Sequence, residues 1–119
     1  MPMTQDEMKQ LAHRMYAAAN AGDLDAADDI FAAGFRSHAM GTTGPAAVKK
    51  AWAAIRQKYP DLRVSVEDML ADGDKLAVRT AVHGTPADAS GEPPTLLEII
   101  RIADGKIAEL WGITNLSWR

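Results

Sequence analysis

The sequence contains no cysteine. Disulfides, thiol chemistry and cysteine-ligated zinc are therefore excluded. Its three histidines, His13, His38 and His83, lie far apart along the chain, so no metal site is expected. No apolar run approaches the roughly 20 residues of a membrane span. The opening MPMTQDEMKQ is polar and lacks the apolar centre of a signal peptide. A cytoplasmic location with no membrane partner is the expectation. Charge of one sign is scarce too, with a formal net charge of -3. A nucleic-acid partner normally needs a basic stripe, so none is expected. No internal repeat, low-complexity tract, interdomain linker, glycine-rich phosphate loop or nucleophile elbow is visible.

What is there is ordinary globular chain: 119 residues, 47% hydrophobic and 24% charged. That length predicts one domain over residues 1–119, long enough to bury one core. Thr4 and Glu7 have capping-box spacing. Met8, Leu11, Ala12, Met15 and Ala18 then follow helical periodicity, and Gly22 suits a C-cap. Asp23 is placed to cap a second helix carrying Leu24, Ala27, Ile30 and Phe31 and closed by Gly34. Phe35 to Ala39 reads as a short strand or extended turn, and Met40 to Gly44 as a loop. Pro45 opens a third helix, with Val48, Trp52 and Ile55 on its apolar stripe, and Pro60 stops it.

From Leu62 the period changes to two. Arg63 to Ala71 and Lys75 to Gly84 read as strands joined at Asp72-Gly73-Asp74. Thr85 to Pro94 has the composition of a mobile loop. Three helices followed by about four long antiparallel strands predict an α+β fold, with helices covering one face of a sheet. A strongly curved sheet would close over those helices as a cone.

The final segment, LLEIIRIADGKIAELWGITNLSW, reads as a hairpin about Asp104-Gly105, a pair suited to a type I′ turn. Uninterrupted pairing puts Ile102 opposite Ile107, Ile100 opposite Glu109 and Glu98 opposite Trp111. With Ile113 and Asn115 these share one face, an apolar wall with a few polar groups. Burial there would raise a glutamate pKa toward neutrality. Glu98, deeper from the turn, is the better acid/base candidate; Glu109 has an ion pair with Arg101 as its alternative. Arg79 and His83 share a strand face with Ala77 and Ala81. Counting through the turn pairs Arg79 with Asp68, or with Glu67 or Met69 if a bulge intervenes. That pair either lines a pocket or sits on the outer face. Trp52 and Trp111 are apolar fillers first, with Trp111 able to stack on a flat ring. Trp118 is expected to be exposed unless a partner covers it.

The stretches FRSHA, GPAAVKKAWAAIRQKYPDLRVSVEDMLADGDKLAVRTAVHGT and RIADGKIAELWGITN resemble the SnoaL-like polyketide cyclases of the nuclear transport factor 2-like superfamily. The resemblance covers nearly the whole chain. It implies a cone of three N-terminal helices packed in a strongly curved, mainly antiparallel sheet, and homodimers paired through the outer sheet face. It places His38 at a pocket, where a histidine often follows the second helix. It also implies an acid/base aspartate four residues beyond the tryptophan, a position occupied here by Asn115. A carboxamide does not exchange protons as a carboxylate does, although its N–H groups can hold a carbonyl or enolate oxygen.

The function expected is that of a small cofactor-independent acid/base enzyme acting on an apolar, ring-containing or polyketide-like molecule, as cyclase, isomerase or dehydratase. His38 or Glu98 would move the proton. Asn115 and Arg79 would hold the oxygen, and Trp111, Trp52, His83 and Ile113 would shape the pocket. The alternatives are a non-catalytic binder of a small apolar ligand, suggested by Asn115, and a dimerising scaffold whose cavity its own side chains fill.

Overall fold

The computed structural model describes residues 3–86 and 91–116. Trp118 and part of the Thr85 to Pro94 segment lie outside the described residues. The first helix, α1 (Gln5–Ala21), begins where the sequence places it. Thr4 Oγ1 accepts from Glu7 N–H at 3.1 Å, and Glu7 Oε1 accepts from Thr4 N–H at 2.9 Å. This reciprocal box satisfies two amides that a helix start leaves without partners. Gly22 closes the helix in the left-handed region, at φ 68°.

The second helix is shorter than the apolar spacing suggests. A 3₁₀ turn (Leu24–Ala26) leads into a single turn, α2 (Ala27–Ile30), and Phe31 is already extended. Strand β1 (Phe31–Ser37) replaces the expected last helical turn. It runs parallel to the last strand, with Phe31 level with Ile107. This long-range pairing outweighs a local helical pattern. A two-residue strand, β2 (Thr42–Thr43), pairs antiparallel with β1. Helix α3 (Pro45–Lys58) follows with its proline in the first turn, as expected.

Four long strands complete the chain: β3 (Arg63–Asp72), β4 (Lys75–His83), β5 (Thr95–Ala103) and β6 (Lys106–Thr114). Among the described residues the sheet has six strands in the order β2-β1-β6-β5-β4-β3, and only the β1–β6 pair is parallel. Register slips by one residue at Glu67 in β3 and at Ala108 in β6. Such bulges bend a strand and increase its twist, and so help curl the sheet around the helices. Met8, Leu11, Met15 and Tyr16 of α1 pack with Leu76, Val78, Ile100, Ile102 and Ile107 of the sheet's inner face. The helices thus cover one face of an α+β cone, as the element order predicts. Among the described residues, no helix is long and apolar enough to cross a membrane.

Candidate functional site

The bulge at Ala108 decides which side chains enter the site. Asp104 and Gly105 form the expected tight turn, both with positive φ, and Ile102 faces Ile107. One residue later the register departs from uninterrupted pairing. Arg101 lies opposite Glu109, Ile100 opposite Leu110, Ile99 opposite Trp111 and Glu98 opposite Gly112. The predicted Glu98–Trp111 and Ile100–Glu109 pairs are therefore corrected. A straight register would have set Glu109 against Ile100, which has no exposed surface. Desolvating a second carboxylate there is costly. The extra residue sends Glu109 outward to Arg101 and gives its inward place to Leu110.

Inside, the curved sheet and the helices enclose a pocket of about 630 Å³, lined among others by Phe35, Trp52, Ile55, Leu96 and Leu110. Its volume suits a small organic ligand. Glu98 reaches into it from the middle of β5. Tyr16, on the buried stripe of α1, donates its hydroxyl to Glu98 Oε1 at 2.8 Å. Burial pushes the Glu98 carboxyl from 4.5 up to about 7, against the opposing pull of the Tyr16 hydrogen bond. Burial, with the neighbouring carboxylate, also raises the Tyr16 phenol, which stays protonated. Near neutral pH the site therefore holds a carboxyl group able to give or take a proton, and a phenol that only donates a hydrogen bond.

Gly112 makes the arrangement possible. A Cβ at this position would lie 3.4 Å from Glu98 Cγ and 3.5 Å from Glu98 Oε2. A larger side chain would compete with the carboxyl for the same space. Arg56 brings a cation to the pocket wall. Its guanidinium donates to the carbonyls of Ala19, Asn20 and Pro60, and so closes the end of α1.

The other expected site residues are distributed differently. Trp52 is part of the pocket wall and meets Phe31 edge-on at 5.9 Å. His38 stacks parallel to Trp111, with ring centroids 4.6 Å apart, and its Nε2 lies 2.7 Å from Glu109 Oε2. Arg101 Nε donates to the other oxygen of Glu109 at 2.6 Å. The His38 contact and then the Arg101 contact hold the Glu109 carboxyl below its usual range. This cluster lies on the outer face, because alternation from the bulge turns Glu109, Trp111 and Ile113 away from Glu98.

Arg79 does face Asp68, with Nε to Oδ2 at 2.8 Å, but both side chains are more than half exposed. They occupy the outer face, opposite to the buried Val78 and Thr80. His83 lies on that same strand face and contacts Ser65 Oγ at 3.0 Å. Ile113 is 71% exposed. Asn115 sits just past the end of β6 and acts there as a backbone substitute. Its Oδ1 accepts from Thr95 N–H at 2.8 Å, prolonging the β5–β6 ladder.

Of the eight expected residues, Glu98, Trp52 and Ile113 line the inner pocket, while Arg79 and Trp111, again with Glu98 and Ile113, border a depression on the other face of the sheet, where His38 stacks on Trp111. Tyr16 and Gly112 were missed. Tyr16 carried a usable signal, since a tyrosine hydroxyl on a buried helix stripe needs a partner. Gly112 becomes meaningful only once the bulge is known.

A polyketide-cyclase candidate from Bacillus cereus ATCC 10987 shares 27% identity with the chain at a TM-score of 0.81, over 95% of this chain and 79% of that one. Another from Sinorhizobium meliloti shares 28% at a TM-score of 0.75, over 87% and 94%. TsrD from Streptomyces laurentii, at 24% identity, TM-score 0.80 and coverage of 96% and 92%, shares the fold. No curated protein matches the chain. The SnoaL-like domain matches residues 12–110, and that span, with the conical α+β fold, identifies the chain as a member of the SnoaL-like domain family, of the nuclear transport factor 2-like type.

Proposed function

We propose that the protein is a cofactor-independent acid/base enzyme that moves a proton on an uncharged, apolar, ring-containing or polyketide-like molecule, as a cyclase, isomerase or dehydratase does. One observation carries this reading: a carboxyl with a pKa of about 7 projects into an otherwise largely apolar pocket. A group poised near the working pH exchanges protons most efficiently. Glu98 is the proton-transfer residue in this reading, and Trp52 shapes the cavity. The polyketide-cyclase candidates among the structural relatives support the substrate class. Proton transfer falls to Glu98 rather than His38, whose ring is engaged by Trp111 and Glu109.

The test is solvent deuterium exchange into the α-carbon of 2-tetralone, a two-ring ketone, followed by NMR. The protein should accelerate exchange, with a rate rising through pH 7 to a plateau as Glu98 ionises. Glu98→Gln should lower it by about 100-fold or more. A rate equal to that of buffer, or one untouched by Glu98→Gln, would defeat the proposal.

A second reading is a non-catalytic binder of a small apolar ligand. Its support is Asn115, whose side-chain oxygen is used to extend the sheet. Saturable binding of 2-tetralone without exchange would favour it. In either case we place the protein in the cytoplasm as a homodimer. Leu70, Leu97, Ile99 and Ile113 leave the outer sheet face apolar and exposed, a surface suited to a second copy of the chain.

A further inference from the structure

We propose that Tyr16 is a positioning residue that fixes Oε1 of Glu98 and leaves Oε2, beside the Gly112 notch, as the atom that exchanges the proton. This deepens the enzyme reading and rests on it. Two contacts distinguish the carboxyl oxygens. Tyr16 Oη occupies Oε1 at 2.8 Å. Oε2 accepts no hydrogen bond among the described residues, and it lies 3.5 Å from where a side chain at position 112 would begin, so that only a residue as small as glycine leaves the carboxyl its full room. Both Tyr16 and Gly112 belong to the pocket wall.

The Tyr16 contact is compatible with both protonation states of Glu98. An ionised carboxylate accepts from the phenol, and so does the carbonyl oxygen of a protonated carboxyl. The proton arriving from substrate is therefore directed to Oε2. In the step, the substrate C–H bond breaks and the Oε2–H bond forms. The C–H electron pair moves toward the adjacent carbonyl, whose oxygen becomes an enolate. Return of the Oε2 proton to another carbon completes an isomerisation and regenerates the carboxylate. No oxidant or second reactant is required.

Tyr16 also opposes burial. Its hydrogen bond favours the ionised carboxylate, so its loss should leave desolvation unchecked. The other titratable or charged side chains lining the pocket among the described residues are Tyr16 from α1, which touches Glu98, and Arg56 from α3, which is engaged by three carbonyls.

The experiment compares wild type, Tyr16→Phe and Gly112→Val by two readouts. One is the infrared band of the protonated Glu98 carboxyl against pH, assigned by its absence in Glu98→Gln. The other is 2-tetralone exchange against pH. Tyr16→Phe should move both inflections upward by about one pH unit. It should also lower kcat about tenfold, with KM little changed. Gly112→Val, whose branches extend past a Cβ already in contact with the Glu98 side chain, should lower exchange about tenfold while Glu98 still titrates. Unmoved inflections in a folded Tyr16→Phe protein would overturn the role of Tyr16. Full activity in a folded Gly112→Val protein would overturn the choice of Oε2. An upward infrared shift with no exchange in any protein would defeat the enzyme reading, and the Oε2 assignment with it, while leaving the hold of Tyr16 on Oε1 intact.

Discussion

The burial of Glu98 bears on stability as well as on the proposed chemistry. Its folded-state pKa of about 7 lies above the ordinary 4.5, so between those values the folded protein binds more protons than the unfolded chain. Stability from this group is therefore fully present below about pH 4.5 and is lost as pH rises through 7. The displacement corresponds to about 3 kcal/mol. Urea unfolding at pH 5 and pH 8 should show wild type losing about that much more stability than Glu98→Gln over the interval. Equal losses in the two proteins would mean that Glu98 titrates in the ordinary range. The inward side of Glu98 was legible from alternation with Ile100 and Ile102. Its partner was not, because Tyr16 is 82 residues away and nothing local joins them.

At the scale of elements, the hairpin shows what a local pattern specifies and where it stops. Asp104-Gly105 marks the turn, and apolar alternation marks both strands. The bulge carries no such mark, since Ala108 is an unremarked residue between Ile107 and Glu109. Yet that one residue moves Trp111 and Ile113 to the opposite face and brings Gly112 to Glu98. The second helix failed for a related reason. Leu24, Ala27, Ile30 and Phe31 fit a helical stripe, but Phe31 is level with Ile107, a strand neighbour far along the chain.

Gly84 offers a sharper test of element packing. It follows β4 at φ 83°, and a Cβ there would collide with the Asp61 carbonyl where the chain enters β3. Gly84→Ala should destabilise the protein by more than about 2 kcal/mol in urea unfolding, through strain and collision together. At the first helix, Thr4→Ala removes the capping box and should cost about 1 kcal/mol by the same measurement. A cost near zero would mean that the N-terminus of α1 contributes nothing to global stability.

Across the whole molecule, the sheet separates two environments. The inner face holds the core and the pocket. The outer face carries Leu70, Leu97, Ile99 and Ile113, with a second depression of about 500 Å³ beside Arg79 and Trp111. A homodimer covering this face predicts that Leu70→Asp, at a position 70% exposed and outside the pocket wall, yields a monomer by light scattering. A dimer unchanged by Leu70→Asp would place the interface elsewhere. The conical α+β plan was legible from the switch of period after Leu62 and from the family resemblance. The division of polar groups between the faces was not, because it depends on register and curvature.

Folding turns Glu98 into a carboxyl poised near neutrality inside the pocket. The decisive measurement follows the ¹³C-labelled glutamate carboxyls by NMR from pH 4 to pH 9, with Glu98→Gln identifying the signal. Glu98 should show an inflection at about pH 7. An inflection in the ordinary range of about 4 to 5 would contradict it.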